Sequence, residues 1–167
     1  MISPLRDQLF VALYISILFA LELALAHIPN IQVTTLLFLI LFERYDKTVS
    51  ALSIVYYVVL QGLVWGFGTY ILGMYLGWFL YMIIAKLTQS KGIWTKATAG
   101  FLFAFIYGIS FYPITGIIYQ IPLVAYLIAD FPFAITMGVV NFISILWLYE
   151  RLSRVLNSPS NSYENAL

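Results

Sequence analysis

Residues 27–42 read HIPNIQVTTLLFLILF, and this stretch decides how the chain folds. It places the only histidine, a proline and two side-chain amides directly after residues 8–26, an apolar segment long enough to cross a bilayer. The apolar run behind the polar break predicts a helix at about 32–43. At 1.5 Å per residue this helix reaches only about 18 Å, whereas the hydrocarbon layer is about 30 Å thick. The second helix is therefore expected to be too short to span.

The composition identifies the chain as a membrane protein. Of its 167 residues, 63% are hydrophobic and 9% are charged, and the mean hydropathy is +0.97, whereas soluble domains carry about 25% charged residues. The net charge of +1 and the absence of a basic stripe argue against a nucleic-acid partner. The chain has no cysteine and one histidine, so disulfides, thiolate metal sites and multi-histidine metal sites are excluded. We expect no cofactor and no metal.

The hydropathy pattern predicts an all-α membrane protein with six transmembrane helices, of which the second is short. The predicted helices cover about 8–26, 32–43, 48–65, 68–86, 95–114 and 126–149. They form a single membrane domain, residues 1–156, followed by a polar tail, residues 157–167, that is predicted to be disordered. The apolar connection at residues 111–132 is expected to fold over a cavity as a lid or to lie flat in the interface.

All Lys and Arg residues fall on one side of the predicted membrane. They are Arg6, Arg44, Lys47, Lys86, Lys91, Lys96, Arg151 and Arg154. The three predicted connections on the opposite side contain neither residue type. Because basic residues concentrate in cytoplasmic loops, this distribution predicts that both termini are cytoplasmic.

Glu22, Asp130 and Asn141 are polar residues of the predicted spans, where a charge costs roughly 2.5–3.5 kcal/mol at the bilayer centre. Glu22 lies near the outer end of the first helix and points either inward or toward interfacial water. Asp130 is placed near the outer start of the sixth helix, where it is expected either to cap the helix or to bind a ligand. Asn141, near mid-membrane, is expected to donate a hydrogen bond to another helix.

Amides and aromatic residues predict a pocket near the outer surface. Pro29 ends the first helical path, and Asn30 is expected to cap a second helix whose free N–H groups face a cavity. Such a helix start suits carboxylates and polar solutes. The predicted substrate-binding residues are Asn30, Gln32, Gln61, Trp65, Tyr70 and Asp130. An ordinary tight turn at residues 27–32 is the alternative interpretation.

Small residues recur every four positions on the first helix, at Ala12, Ser16, Ala20 and Ala24. This spacing gives one face on which another helix can approach closely in lipid. The face is interpreted either as internal packing or as a docking surface for another subunit.

The segments HIPNIQVTTLLFLILF, LQGLVWGFGTYILGMYLGW (60–78) and ADFPFAITMGVVNF (129–142) resemble the substrate-binding S components of the energy-coupling factor (ECF) vitamin transporters. The resemblance covers about residues 8–150. It implies a pocket for a water-soluble vitamin or vitamin precursor at the outer face of the bacterial plasma membrane. It also implies partnership with a transmembrane T component and two ATPase subunits. The family's alanine motif falls on Ala12, Ser16 and Ala20, with Ser in place of one Ala.

The resemblance leaves the vitamin open among pantothenate, a pyrimidine or benzimidazole precursor, and others. The chain has no GxxxxGK[ST] sequence, so ATP hydrolysis would have to come from partners. The alternative function is a self-sufficient small secondary carrier. A carrier of this size would need to dimerise, and it would be proton-coupled through Glu22 or Asp130. An intramembrane enzyme would need a cluster of His, Asp or metal ligands, and one His with two separated acids does not supply it. We therefore expect no catalytic residues.

The predicted topology can be tested by fusing reporters to the termini and by labelling an introduced cysteine. Reporters at either end should be cytoplasmic, because the basic residues lie on that side. A cysteine at Ile114, in the predicted outer connection, should react with a membrane-impermeant reagent, and the natural chain offers no competing thiol. An external C-terminus would contradict the predicted orientation.

Overall fold

A computed structural model describes residues 4–27 and 33–157, and the regular structure in these ranges is entirely helical. The six helices are α1 (Pro4–Leu25), α2 (Thr34–Arg44), α3 (Lys47–Trp65), α4 (Tyr70–Thr88), α5 (Ile93–Ile118) and α6 (Leu123–Asn157). All except α2 are long and apolar enough to cross a membrane. The 11 residues of α2 are too few, so the prediction of a short second helix is confirmed.

The connection between α5 and α6 differs from the prediction for residues 111–132. α5 ends at Ile118 and α6 begins at Leu123, so only residues 119–122 join them. Pro113 and Pro132 lie inside the helices rather than ending them, which membrane helices tolerate because neighbouring groups satisfy the freed backbone. Gln120, with φ of 53°, reverses the chain. The predicted lid or interfacial segment is therefore wrong, and the two helices form a tight hairpin.

The hairpin changes where external labelling is expected. Ile114 lies inside α5, whereas Gln120 is exposed in the turn. A cysteine at position 120 is therefore the better reporter for this side of the membrane.

The long helices form an open arc around α2. The extensive contacts join α1 to α3, α3 to α4, α4 to α5 and α5 to α6. Among the described residues, α1 and α6 are not an extensively packed pair, so the arc is not closed by direct contact between its ends. α2 fills the middle and packs against α1, α3, α4 and α6. This arrangement gives a bundle whose central helix occupies only part of its depth.

The sequence of α2 is apolar on every side, and its burial follows from that. All nine residues from Thr34 to Phe42 are buried, which is the environment that an all-round hydrophobic helix requires. Phe38 lies between Tyr57 of α3 and Trp78 of α4, with ring centroids 5.2 and 4.6 Å away. The Phe38–Phe42 pair stacks along α2 at 5.0 Å. Aromatic packing from α3 and α4 therefore holds α2 in the centre.

A buried ion pair holds the C-terminal end of α2. Lys96 of α5 lies 2.7 Å from a carboxylate oxygen of Glu43, and both side chains are less than a tenth exposed. Tyr149 of α6 donates to the same carboxylate and receives a hydrogen bond from Lys96 at 2.7 Å. Gln89 and Lys86 donate to the backbone oxygens of Glu43 and Tyr45. These bonds satisfy carbonyl groups at the C-terminal end of α2 that have no partner within the helix.

Asn141 makes the interhelical contact that the sequence predicted. Its side chain is fully buried and donates to the backbone oxygen of Gly100 on α5 at 3.1 Å. The contact lies where Gly100 lets α6 approach α5, since an added Cβ would meet Ile145 at 2.4 Å.

The buried ion pair predicts a specific pattern of stability. Lys96→Met should lower the free energy of unfolding by about 3–5 kcal/mol, because it leaves the Glu43 carboxylate buried and unpaired. Adding Glu43→Leu should recover much of that loss, since the uncompensated charge is then removed. Thermal and denaturant melts in mild detergent provide the measurement. Lys91→Met, an exposed lysine before α5, is the control and should change little.

Candidate binding site

Glu22 anchors a polar cluster inside the bundle, as its position away from the small-residue face of α1 predicts. Gln61 of α3 donates to one carboxylate oxygen at 2.7 Å, and Tyr57 donates its hydroxyl to the other. Gln61 also donates to the Tyr57 hydroxyl at 2.9 Å. The Thr34 side chain at the start of α2 bonds the same carboxylate. We call Glu22, Thr34, Tyr57 and Gln61 the Glu22 cluster.

The Glu22 cluster lies at the beginning of α2, inside the ends of the neighbouring helices. α1 continues from Glu22 to Leu25, and α3 continues from Gln61 to Trp65, so each extends about one turn farther. α2 begins only at Thr34, and its N-cap residue is Val33, which makes no side-chain cap. The prediction that Asn30 caps this helix is therefore wrong. Thr34 and Thr35 provide the buried polar start instead.

Asp130 lies within α6 and not at its start. The helix begins at Leu123, so Asp130 is about two turns inside it and cannot be the N-cap that the sequence suggested. The reason is that Pro132, which resembled a first-turn proline, is accommodated in the helix interior. Asp130 faces α5 at Gly108, where a built Cβ would lie 1.9 Å from its Oδ2 atom. A larger residue at position 108 would require the carboxylate to move.

A cavity of about 220 Å³ lies between α5 and α6 beside Asp130. Its lining is aromatic and small apart from the carboxylate: Ala104, Tyr107, Gly108, Phe111, Asp130, Phe133, Ala134 and Met137. Within the described residues, no side chain donates a hydrogen bond to Asp130. The nearby Tyr126 hydroxyl donates to the Gly108 backbone oxygen instead, at 2.8 Å. We call this space the Asp130 cavity.

Tyr107 connects the Asp130 cavity with the Glu22 cluster. It lines the cavity and is close enough to Glu22 and Tyr57 to interact with both electrostatically. Trp78 lies between the two tyrosines, with ring centroids 5.3 Å from Tyr107 and 5.7 Å from Tyr57. The two acids thus stand on either side of one aromatic wall.

The other predicted substrate-binding residues do not line the Asp130 cavity. Gln61 lies in the Glu22 cluster, where its N–H groups already have acceptors. Trp65 is 60% exposed at the end of α3. Tyr70 donates its hydroxyl to the Gly66 backbone oxygen and thereby fastens the turn between α3 and α4. Asn30 and Gln32 lie outside the described residues.

The small-residue face of α1 points away from the bundle. Ala12, Ser16, Ala20 and Ala24 are all exposed, whereas Val11, Ile15 and Leu18 on the opposite face are buried. Ser16 satisfies its hydroxyl within the helix by donating to the Ala12 backbone oxygen at 2.8 Å. Of the two interpretations of this face, internal packing within this chain is therefore wrong.

Sequence reasoning missed four residues that shape the site: Thr34, Tyr57, Tyr107 and Gly108. Tyr57 and Tyr107 are two of thirteen tyrosines, and nothing local to them marks the pair. Gly108 carried a weak signal, since glycine inside an apolar helix often marks a close approach. Within the described ranges no group of three or more His, Asp or Glu side chains could hold a metal ion.

The geometry defines a multi-pass membrane protein with two half-buried acids, Glu22 and Asp130, between its helices. Comparison with family models, with curated proteins and with solved structures finds no match to this chain.

The Glu22 cluster predicts a loss of stability that depends on which partners remain. Glu22→Leu should lower the free energy of unfolding by about 1–3 kcal/mol, because the Tyr57 hydroxyl and the Gln61 amide lose their acceptor. Adding Tyr57→Phe and Gln61→Leu should recover part of the loss, since two of the donors that lost their acceptor are then removed. Melts in mild detergent measure both effects.

Glu150→Leu provides the matched control for this series. Glu150 pairs only with Arg154 on the exposed surface of α6, at 3.3 Å, and such pairs contribute about 0–1 kcal/mol. A Glu22→Leu variant that melts no earlier than Glu150→Leu would contradict the role of the cluster.

Proposed function

We propose that the chain is the substrate-binding membrane subunit of an ECF-type importer. It binds a water-soluble vitamin or vitamin precursor at the outer face of a bacterial plasma membrane. A transmembrane T component and two ATPase subunits then drive uptake. The observation that carries this proposal is the half-depth helix α2, which begins about one turn inside the ends of α1 and α3, beside the Glu22 cluster.

Two places in the bundle have the chemistry of a solute site. Glu22, Tyr57 and Gln61 form a polar cluster between α1 and α3, and the Asp130 cavity opens between α5 and α6. Ligand sites are mostly apolar and aromatic, with a few placed polar groups. Acids inside a membrane domain usually mark a pathway or a ligand. Both features favour transport over a purely structural subunit.

The exposed face of α1 supports the need for a partner. Small residues on a lipid-facing helix give little packing with lipid tails but allow another helix to approach closely. Ala12, Ser16 and Ala20 lie on this outward face. We therefore assign these three residues to docking of the T component.

The alternative is a secondary carrier that works without ATPases. Asp130 favours this alternative, because its carboxyl group receives no hydrogen bond from the described side chains and could serve as the proton site. A tagged chain purified in mild detergent separates the two functions. An importer subunit should bring with it one further membrane protein and two ATPases, whereas a secondary carrier should not.

Docking through α1 predicts a selective loss of assembly. Ser16→Trp or Ala20→Trp should abolish recovery of the partner subunits and abolish uptake, because an indole ring holds the helices apart. The isolated variants should melt near the parent, since both positions are exposed in this chain. Leu21→Trp, also exposed on α1 but outside the small-residue face, is the control and should retain its partners. Partner recovery that survives Trp at positions 16 and 20 would refute docking through this face.

A further inference from the structure

The helix segments around Asp130 contain no Lys or Arg. No Lys or Arg occurs in residues 48–85 or 97–149, which contain most of α3 to α6. The described basic side chains of the bundle gather at the opposite end, where Lys96 pairs with Glu43 and Lys86 binds the Tyr45 backbone oxygen. A carboxylate in the Asp130 cavity therefore has no cation of this chain beside it.

The two acids differ in how far the chain itself satisfies them. Glu22 receives hydrogen bonds from Tyr57, Gln61 and Thr34. Asp130 receives none from the described side chains, although Tyr126 lies nearby, because that hydroxyl is committed to Gly108. A carboxylate is an acceptor with several lone pairs, so Asp130 retains capacity for an external donor.

The walls of the Asp130 cavity suit a positive charge. Tyr107, Phe111 and Phe133 line it together with the carboxylate. The faces of aromatic rings attract ammonium and guanidinium groups within about 6 Å of the ring centroid, and most strongly when water is excluded. Aromatic faces combined with one unsatisfied carboxylate favour a cation over a neutral or anionic group.

The start of α2, which the sequence suggested for a substrate carboxylate, already has a carboxyl group of this chain beside it. Glu22 bonds Thr34 at that helix end, where the helix dipole and free N–H groups favour an acidic group. A substrate carboxylate there would have to displace Glu22. The chain's own acid thus removes the main reason to expect an anionic substrate.

We infer that the Asp130 cavity binds a positively charged group of the substrate, such as a protonated amine or a cationic heteroaromatic ring. This inference rests on the proposed function, because it names the chemical class of the imported solute. The cavity volume of about 220 Å³ accommodates a single ring with its charged substituent. Asp130 accepts the hydrogen bond or ion pair, and Tyr107 and Phe111 contact the ring.

The test compares three small probes of similar shape and different charge on the full chain in phosphatidylcholine nanodiscs. Benzylamine is cationic at neutral pH, benzyl alcohol is neutral and benzoate is anionic. Saturation-transfer NMR, which detects weak binding, should give benzylamine at least a tenfold lower Kd than benzyl alcohol, and benzoate no binding. A charge-assisted hydrogen bond supports a preference of this size.

Two variants locate the preference. Asp130→Asn should bring the benzylamine and benzyl alcohol affinities to within about twofold of each other. Gly108→Ala retains the charge but places a methyl group where the carboxylate now lies, so it should also weaken benzylamine binding. Glu150→Gln removes one negative charge from the exposed surface and should leave the selectivity unchanged. Thermal melts verify that each variant is folded.

The outcomes separate this inference from the proposed function. Equal binding of benzylamine and benzyl alcohol by the parent, or selectivity that survives in Asp130→Asn, would overturn the cation site while leaving partner recovery intact. Selectivity that depends on Asp130 in a chain that recovers no ATPases would support the cation site and refute the importer.

Discussion

An 11-residue helix in the middle of a membrane bundle must have both of its ends satisfied by protein, and the rest of the structure depends on this constraint. In hydrocarbon an unpaired backbone N–H or C=O costs several kcal/mol. α2 meets the requirement at its C-terminal end through the side chains of Gln89 and Lys86, which donate to the backbone oxygens of Glu43 and Tyr45. At its N-terminal end the Thr34 side chain bonds Glu22. Two acids, Glu22 and Glu43, therefore stand at the two ends of one buried helix.

The shortness of α2 also decides where one group of polar side chains gathers. α1 and α3 pack along α2 and extend about one turn beyond its start. Glu22, Tyr57 and Gln61 therefore meet beside the first residues of α2. Aromatic rings of α3, α4 and α5 separate this cluster from Asp130.

Two features of the chain are not used by its own packing. The small-residue face of α1 is exposed, and the Asp130 carboxylate receives no hydrogen bond from the described side chains. The first lies on the exposed side of α1 and the second borders a cavity between α5 and α6, so they serve different contacts. A partner helix on α1 and a cationic solute beside Asp130 would satisfy each feature without rearranging the other.

The sequence by itself determined the number of helices and the shortness of the second one, because hydropathy over about 20 residues is a local property. It predicted the short α2, the clustering of basic residues at one end and the interhelical role of Asn141. Only the tertiary structure decided which residues meet: Glu22 with Gln61, 39 positions away, and Glu43 with Tyr149, 106 positions away. It also decided that Asp130 lies inside α6 and that the small residues of α1 face outward. The physical reason is that lipid-facing and protein-facing surfaces are both apolar in a membrane protein. Hydropathy therefore cannot tell which face of a helix is buried, and the packing of distant helices sets those contacts.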